Sequence, residues 1–210
     1  MPQLNHVRIA TIAVAGIGLT YLAACSRVDA AKPLPTLTTS TSPPAAAKLT
    51  SADFMSVCQG ATQSRATGYN PDALSHKTIL FIPLNHGLVE DTSTLPSDWT
   101  VQFDANRDTY AAIDTVVCVE TKDEQSVKEC TGYEDNGHST ANKVDLRATT
   151  YTITVRVATT GKELATTELS GTDTTCPMFM SFDDDTQTKP YNVPPPKDDL
   201  IAFIKQFVQA

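Results

Sequence analysis

The stretch LRATTYTITVRV, residues Leu146 to Val157, sets Tyr151, Ile153, Val155 and Val157 against Thr150, Thr152, Thr154 and Arg156. A period of two marks a half-buried β-strand, because successive side chains of an extended chain point to opposite faces. Thr160-Gly161 then supplies a turn, and Glu163 to Leu169 returns, which predicts a hairpin. Working upstream, KTILFIPL (Lys77 to Leu84) is a compact β-branched and aromatic run that Pro83 should bring to an end. Trp99, Val101 and Phe103 alternate with Thr100 and Gln102, predicting another strand, and TVVCVE (Thr115 to Glu120) predicts one more. Residues 121–126 are polar and read as a turn, after which Val127 to Tyr133 comes back.

Helical signals lie near the ends of this strand-rich region. Thr50 can cap a short helix with Asp53 in its first turn, Phe54, Val57 and Cys58 on one face and Gly60 as its stop. After Pro194-Pro195-Pro196, Asp198 or Asp199 should open a terminal helix whose apolar stripe is Leu200, Ile201, Ile204, Phe207 and Val208. Strands in sequence, with helices only at the ends and no βαβ alternation, predict an α+β domain built on an antiparallel sheet. An all-β sandwich is the alternative.

The chain has 210 residues and five cysteines. Cys58, Cys118, Cys130 and Cys176 allow three pairings, and in an oxidising compartment disulfides are the default use. Cys118 and Cys130 flank the expected turn near Asp123-Glu124, which favours joining them across a hairpin and leaves Cys58 for Cys176. Zinc sites usually show paired ligands two to four residues apart, and no two of these cysteines lie that close.

The fifth cysteine, Cys25, ends a different kind of segment. Arg8 precedes an uncharged run, IATIAVAGIGLTYL (Ile9 to Leu22). As a helix it would rise about 21 Å, short of a hydrocarbon core about 30 Å thick. A charged start, a short apolar run and small residues read as an export signal. The run closes on Leu22-Ala23-Ala24-Cys25. In this the chain resembles bacterial lipoprotein precursors, whose lipobox is a leucine, two small residues and an obligatory cysteine. The resemblance implies removal of residues 1–24, diacylglycerol and palmitate-type acyl chains on Cys25, and a protein held at a membrane on its extracytoplasmic side. An ordinary cleaved secretion signal is the rival reading. Residues 25–48, with Pro33, Pro35, Pro43 and Pro44 and a Thr/Ser-rich middle, carry too little apolar mass to pack a core. They read as a tether that spans about 25 Å as a coil, or about 70 Å as extended polyproline. Residues 49–210 are left as one globular domain.

Composition narrows the function classes. A net charge of −8 disfavours nucleic acid and adsorption to anionic lipid, since both depend on a positive footprint. Asp183-Asp184-Asp185 lacks the alternating ligands, glycine and later glutamate of a calcium loop. Glu134-Asp135-Asn136-Gly137-His138 is foremost a turn. His76, His86 and His138 show no HExxH spacing, no serine sits in a G-x-S-x-G elbow, and no phosphate-cradling glycine motif occurs. Trp99 reads as core packing before sugar binding. No cofactor, metal or catalytic residue is expected on these grounds.

The soluble part also looks like exported bacterial domains that share a Cys-Gln-Gly start, a Cys…Cys-x-x-Tyr hairpin and a Thr-Gly-Lys turn followed by Cys-Pro. Here these are Cys58-Gln59-Gly60, Cys118…Cys130-Thr131-Gly132-Tyr133, Thr160-Gly161-Lys162 and Cys176-Pro177. That resemblance implies disulfide pairing and a single domain, and no activity. The expectation is a membrane-anchored envelope lipoprotein acting as a non-catalytic module for an envelope protein or polymer. A surface hydrolase with a dispersed Ser/His/Asp site is the alternative, and a carrier of small apolar molecules, which needs a cavity, is a third.

Overall fold

The Leu146 to Val157 alternation becomes the inner half of Lys143–Val157, the longest-partnered strand of a six-stranded mixed sheet. A computed structural model describes residues 47–84, 87–183 and 185–209. Along the chain come helix α1 (Ala52–Met55), strands β1 (Thr78–Leu84), β2 (Gly87–Glu90), β3 (Thr115–Cys130), β4 (Glu134–Asp135), β5 (His138–Ser139), β6 (Lys143–Val157), β7 (Glu163–Gly171) and β8 (Thr188–Asn192), and helix α2 (Lys197–Val208). The sheet order is β2-β1-β3-β6-β7, with β8 also pairing β6. β4 and β5 form a separate small hairpin.

The sheet is mixed where an antiparallel one was expected. β1 runs parallel to β3, and β8 runs parallel to β6. Both parallel joins follow long excursions of chain, the kind of crossover that a parallel neighbour requires. Pro190 lies within β8, which is tolerable because β8 pairs on one side only.

Two further expectations change. Residues 121–126 form no turn, for β3 continues unbroken through Cys130 and pairs β6 along its length, with irregularities at Thr121/Asp123 and Ser126/Lys128. Its residues Glu120 to Glu129 are exposed, so no face needed to be apolar and the strand left no alternation to read. Trp99 to Phe103 is not a strand. Trp99 packs in the core on one face of the sheet, while Val101 packs against the core on the other. The segment crosses the end of the sheet, and that crossing mimics a period of two.

Both faces are covered. On one, α2 lays Leu200, Ile204 and Val208 over Leu80, Val117, Val119, Ile153 and Val155. Asp198 and Asp199 sit in its first turn and Lys205 in its last, each matching the helix dipole. Burying one such aliphatic side chain contributes about 1.5–3 kcal/mol. On the other face, Phe54, Val57 and Cys58 meet Ile79, Phe81, Val116 and Cys118. The N-terminal helical element is brief, a four-residue α1 passing into a 3-10 turn, Ser56–Gln59, that ends on Gly60 at φ 85°. Asp53 Oδ2 accepts from the Thr50 main-chain N–H at 2.8 Å and its hydroxyl at 2.9 Å, so the carboxylate caps the threonine rather than the reverse.

The disulfides join Cys58 to Cys118 and Cys130 to Cys176. This corrects the expected pairing of Cys118 with Cys130. Both lie on β3, and twelve residues of extended strand separate them by about 40 Å. Cys58–Cys118 pins the N-terminal helical turn to the sheet centre. Cys130–Cys176 pins the loop after β7 to the far end of β3. The expected hairpin turns do form. Gly161 has φ 66°, and Asn136-Gly137 between β4 and β5 has φ of 49° and 77°, as a type I′ turn requires.

Candidate functional site

The larger of two concavities among the described residues begins with a proline. The Leu80 carbonyl accepts from Asp91 N–H at 2.9 Å, so even-numbered residues of β1 address the β2 side. Thr115 N–H donates to Lys77 O, so the odd-numbered residues face β3. The next odd position after Phe81 is Pro83, which has no N–H. The parallel ladder stops at Phe81↔Cys118, and β1 continues with β2 alone. β3 goes the other way with β6. Between the diverging strands lies a half-open groove of about 1280 Å³.

Its walls are mostly apolar. Ile82, Pro83 and Leu84 come from β1 and Leu88 from β2, Val119 and Thr121 from β3, and Met55 from α1. Tyr151, Tyr191 and Pro194-Pro195 close the far side. Tyr151 is held by its hydroxyl, which donates to Val193 O at 3.1 Å.

The charged rim is acidic. Asp91, Glu120 and Glu124 line the groove with one cation, Lys197. Burial pushes the Asp91 carboxyl up, but hydrogen bonds from the hydroxyls and main-chain N–H groups of Thr94 and Ser93 outweigh it and hold the group below the usual range. Glu124 is held low by hydrogen bonds from Arg147, at 2.6 Å, and Asn192, at 3.0 Å. Both therefore stay ionised in mild acid. The Asn192 side-chain oxygen is buried and makes no hydrogen bond.

A second concavity, about 1040 Å³, lies beyond the Cys130–Cys176 disulfide. It is lined by Tyr133, Met180 and Phe182 together with Glu134, Asp135 and Asp183. Met178 and Phe179 stand 81% and 87% exposed on its rim.

One pairing was not visible in the sequence. His76 Nδ1 lies 2.6 Å from Asp114 Oδ2, both residues are buried, and the Tyr69 ring stacks on the imidazole at 4.6 Å. Burial pushes the Asp114 carboxyl up, and the hydrogen bond and charge of His76 only partly offset this. The partners are 38 positions apart with no motif linking them, so nothing in the sequence announced the contact. A histidine oriented by a carboxylate is half of a hydrolytic triad. Among the described residues, however, no serine hydroxyl hydrogen-bonds to a histidine. The dyad instead ties the segment before β1 to the strand start after Ile113, beside the end of α2, where the His76 N–H donates to Val208 O.

The remaining expected residues divide as follows. Cys58, Cys118, Cys130 and Cys176 all form disulfides. Cys25 and His86 lie outside the described residues. His138 is exposed on the β4–β5 hairpin, Asp183 and Asp185 are exposed, and Trp99 is buried in the core. Among the described residues, no three His, Cys, Asp or Glu side chains are grouped to hold a metal ion, and no helix is long and apolar enough to cross a membrane. The two disulfides fit an oxidising, extracytoplasmic compartment.

The chain matches no protein family model, no curated protein and no solved structure. The site must therefore be read from its own chemistry.

Proposed function

We propose that this protein is a membrane-anchored envelope lipoprotein whose folded domain is a non-catalytic binding module. The observation that carries the binding reading is the groove where β1 parts from β3, an apolar trough on a scaffold braced by two disulfides. Concave, mostly apolar sites with a few placed polar groups are the usual form of ligand sites. The hydrolase alternative has less support, because the His76–Asp114 dyad is buried and, among the described residues, no serine hydroxyl hydrogen-bonds to the imidazole. The anchor rests on the Leu22-Ala23-Ala24-Cys25 sequence.

Two measurements test this reading. Cys25→Ala should move the protein from the membrane fraction to the soluble fraction of the source cell, and unchanged fractionation would refute lipidation. The full chain should bind the neutral fluorophore N-phenylnaphthylamine with enhanced emission, and Leu84→Lys should weaken that binding. Leu84 is 53% exposed, so the substitution leaves the core intact. Absence of binding would refute the groove as a ligand site.

A further inference from the structure

Resting on that reading, we infer that the groove takes an extended peptide, a partner segment of alternating apolar and basic residues that adds a strand to the open edge of β3.

The argument starts from main-chain chemistry. Thr115 N–H donates to Lys77 O, so the odd-numbered residues of β3, up to the irregularity at Thr121/Asp123, face the β1 side. Thr115 and Val117 lie within the parallel ladder with β1, which ends at Cys118. Beyond it, among the described residues, no strand lies beside β3 on that side. The peptide groups of Thr121 thus face the groove with β1 already turned away. Such an edge binds extended chains through main-chain hydrogen bonds, while adjacent pockets choose alternate side chains.

Along β3, both features occur together here. Further along β3 the edge is fully solvated, carries Lys122 and Lys128, and is broken by irregularities at Thr121/Asp123 and Ser126/Lys128. Charges and bulges are how exposed edges are protected from pairing. At Val119 to Thr121 the edge is regular and adjoins the apolar trough of Ile82, Leu84 and Leu88. Charge then selects the sequence. Glu124 is already paired with Arg147, but Asp91 and Glu120 outnumber Lys197 on the rim, so lysine or arginine side chains projecting from the added strand meet opposite charge, and acidic ones are repelled.

The test uses the full chain and a fluorescein-labelled hexapeptide of alternating valine and lysine, followed by anisotropy. Two further versions are N-methylated, one on the valines and one on the lysines. One pattern removes the donors that face β3, and the other removes only those that face water. The inference predicts at least a tenfold loss of affinity with one pattern and less with the other. It predicts a similar loss with Glu120→Lys and when glutamate replaces the lysines, and no change with Met178→Ala at the distant cleft. Less than tenfold loss with both patterns, or tighter binding of the glutamate version, overturns it. So does peptide binding that survives Leu84→Lys, or saturation of the groove by a second copy of the chain. If no peptide binds at about 1 mM, a standard free energy of only about −4 kcal/mol, while N-phenylnaphthylamine still does, the peptide inference falls and the binding-module reading stands. If neither binds, both fall.

Discussion

Removing the Cys58–Cys118 disulfide by the double substitution Cys58→Ala, Cys118→Ala should cost a large part of the stability of the domain. The bond closes a loop with a sequence separation of 60. In the chain-entropy treatment a loop of that length restrains the unfolded chain by about 4 kcal/mol. The two cysteines are also buried, at 4% and 1% exposure, among Phe54, Val57, Phe81 and Val116. Truncation there opens small cavities worth about 1–2 kcal/mol together. A total of about 5–6 kcal/mol rivals the whole stability of many domains, about 5–15 kcal/mol. Urea unfolding at neutral pH, followed by far-ultraviolet circular dichroism on oxidised wild type and variant, measures the difference. The midpoint should fall well below that of wild type, and the slope should stay or steepen, since the unfolded chain is no longer held compact. The Cys130→Ala, Cys176→Ala variant has a separation of 46, and the same treatment gives about 4 kcal/mol with a smaller core term, because Cys130 is buried among Val144 and Leu146 while Cys176 is only half-buried. A loss below about 1 kcal/mol for the Cys58–Cys118 variant, or a larger loss for the distal pair than for the central one, would refute this reasoning.

His76→Ala should destabilise the domain by about 3 kcal/mol at pH 7, because it strands the buried Asp114 carboxylate without its partner. The carboxyl of Asp114 titrates above its ordinary value, so its favourable contribution belongs to the protonated form, is present in acid and is lost as pH rises through the folded value. The deficit should therefore shrink when urea midpoints are compared at pH 7 and pH 4, and a constant deficit would count against the buried pair. Gly161→Ala should cost about 2 kcal/mol or more, since a Cβ there would lie 2.5 Å from Gly60 O on a backbone with φ 66°. Gly68→Ala, with nothing within 4 Å, should change the thermal midpoint little.

What could be read in advance followed from which residues had one wet and one dry face. The inner half of β6, the Thr160-Gly161 turn and the stripe of α2 each carry a pattern because one side meets the core. The outer half of β3 carries none, since solvent reaches both its faces, and its charged residues read as a turn. That error propagated to the disulfides. Once Cys118 and Cys130 were placed on opposite arms of a hairpin, the wrong partners followed, whereas their positions on one strand make the pairing geometrically impossible.

The groove was half legible. Pro83 marked an ending, but the ending is that of a ladder with one neighbour rather than of the strand itself. Knowing this requires knowing that β1 lies beside β3, a contact between distant segments that local periodicity does not encode. The His76–Asp114 dyad was hidden for the same reason. Tyr133 holds the Pro177 to Phe182 segment in place through a hydrogen bond to Pro177 O and an edge contact with Phe182.

The account stands or falls on whether ligands enter where β1 and β3 separate. Amide chemical-shift mapping on the isotope-labelled full chain, titrated with N-phenylnaphthylamine, asks that directly. The predicted result is a cluster of shifts at Leu84, Leu88, Val119, Thr121 and Tyr191, with Met178 to Phe182 unmoved. Shifts centred on the loop behind Cys176, or spread evenly over the sheet, would contradict it.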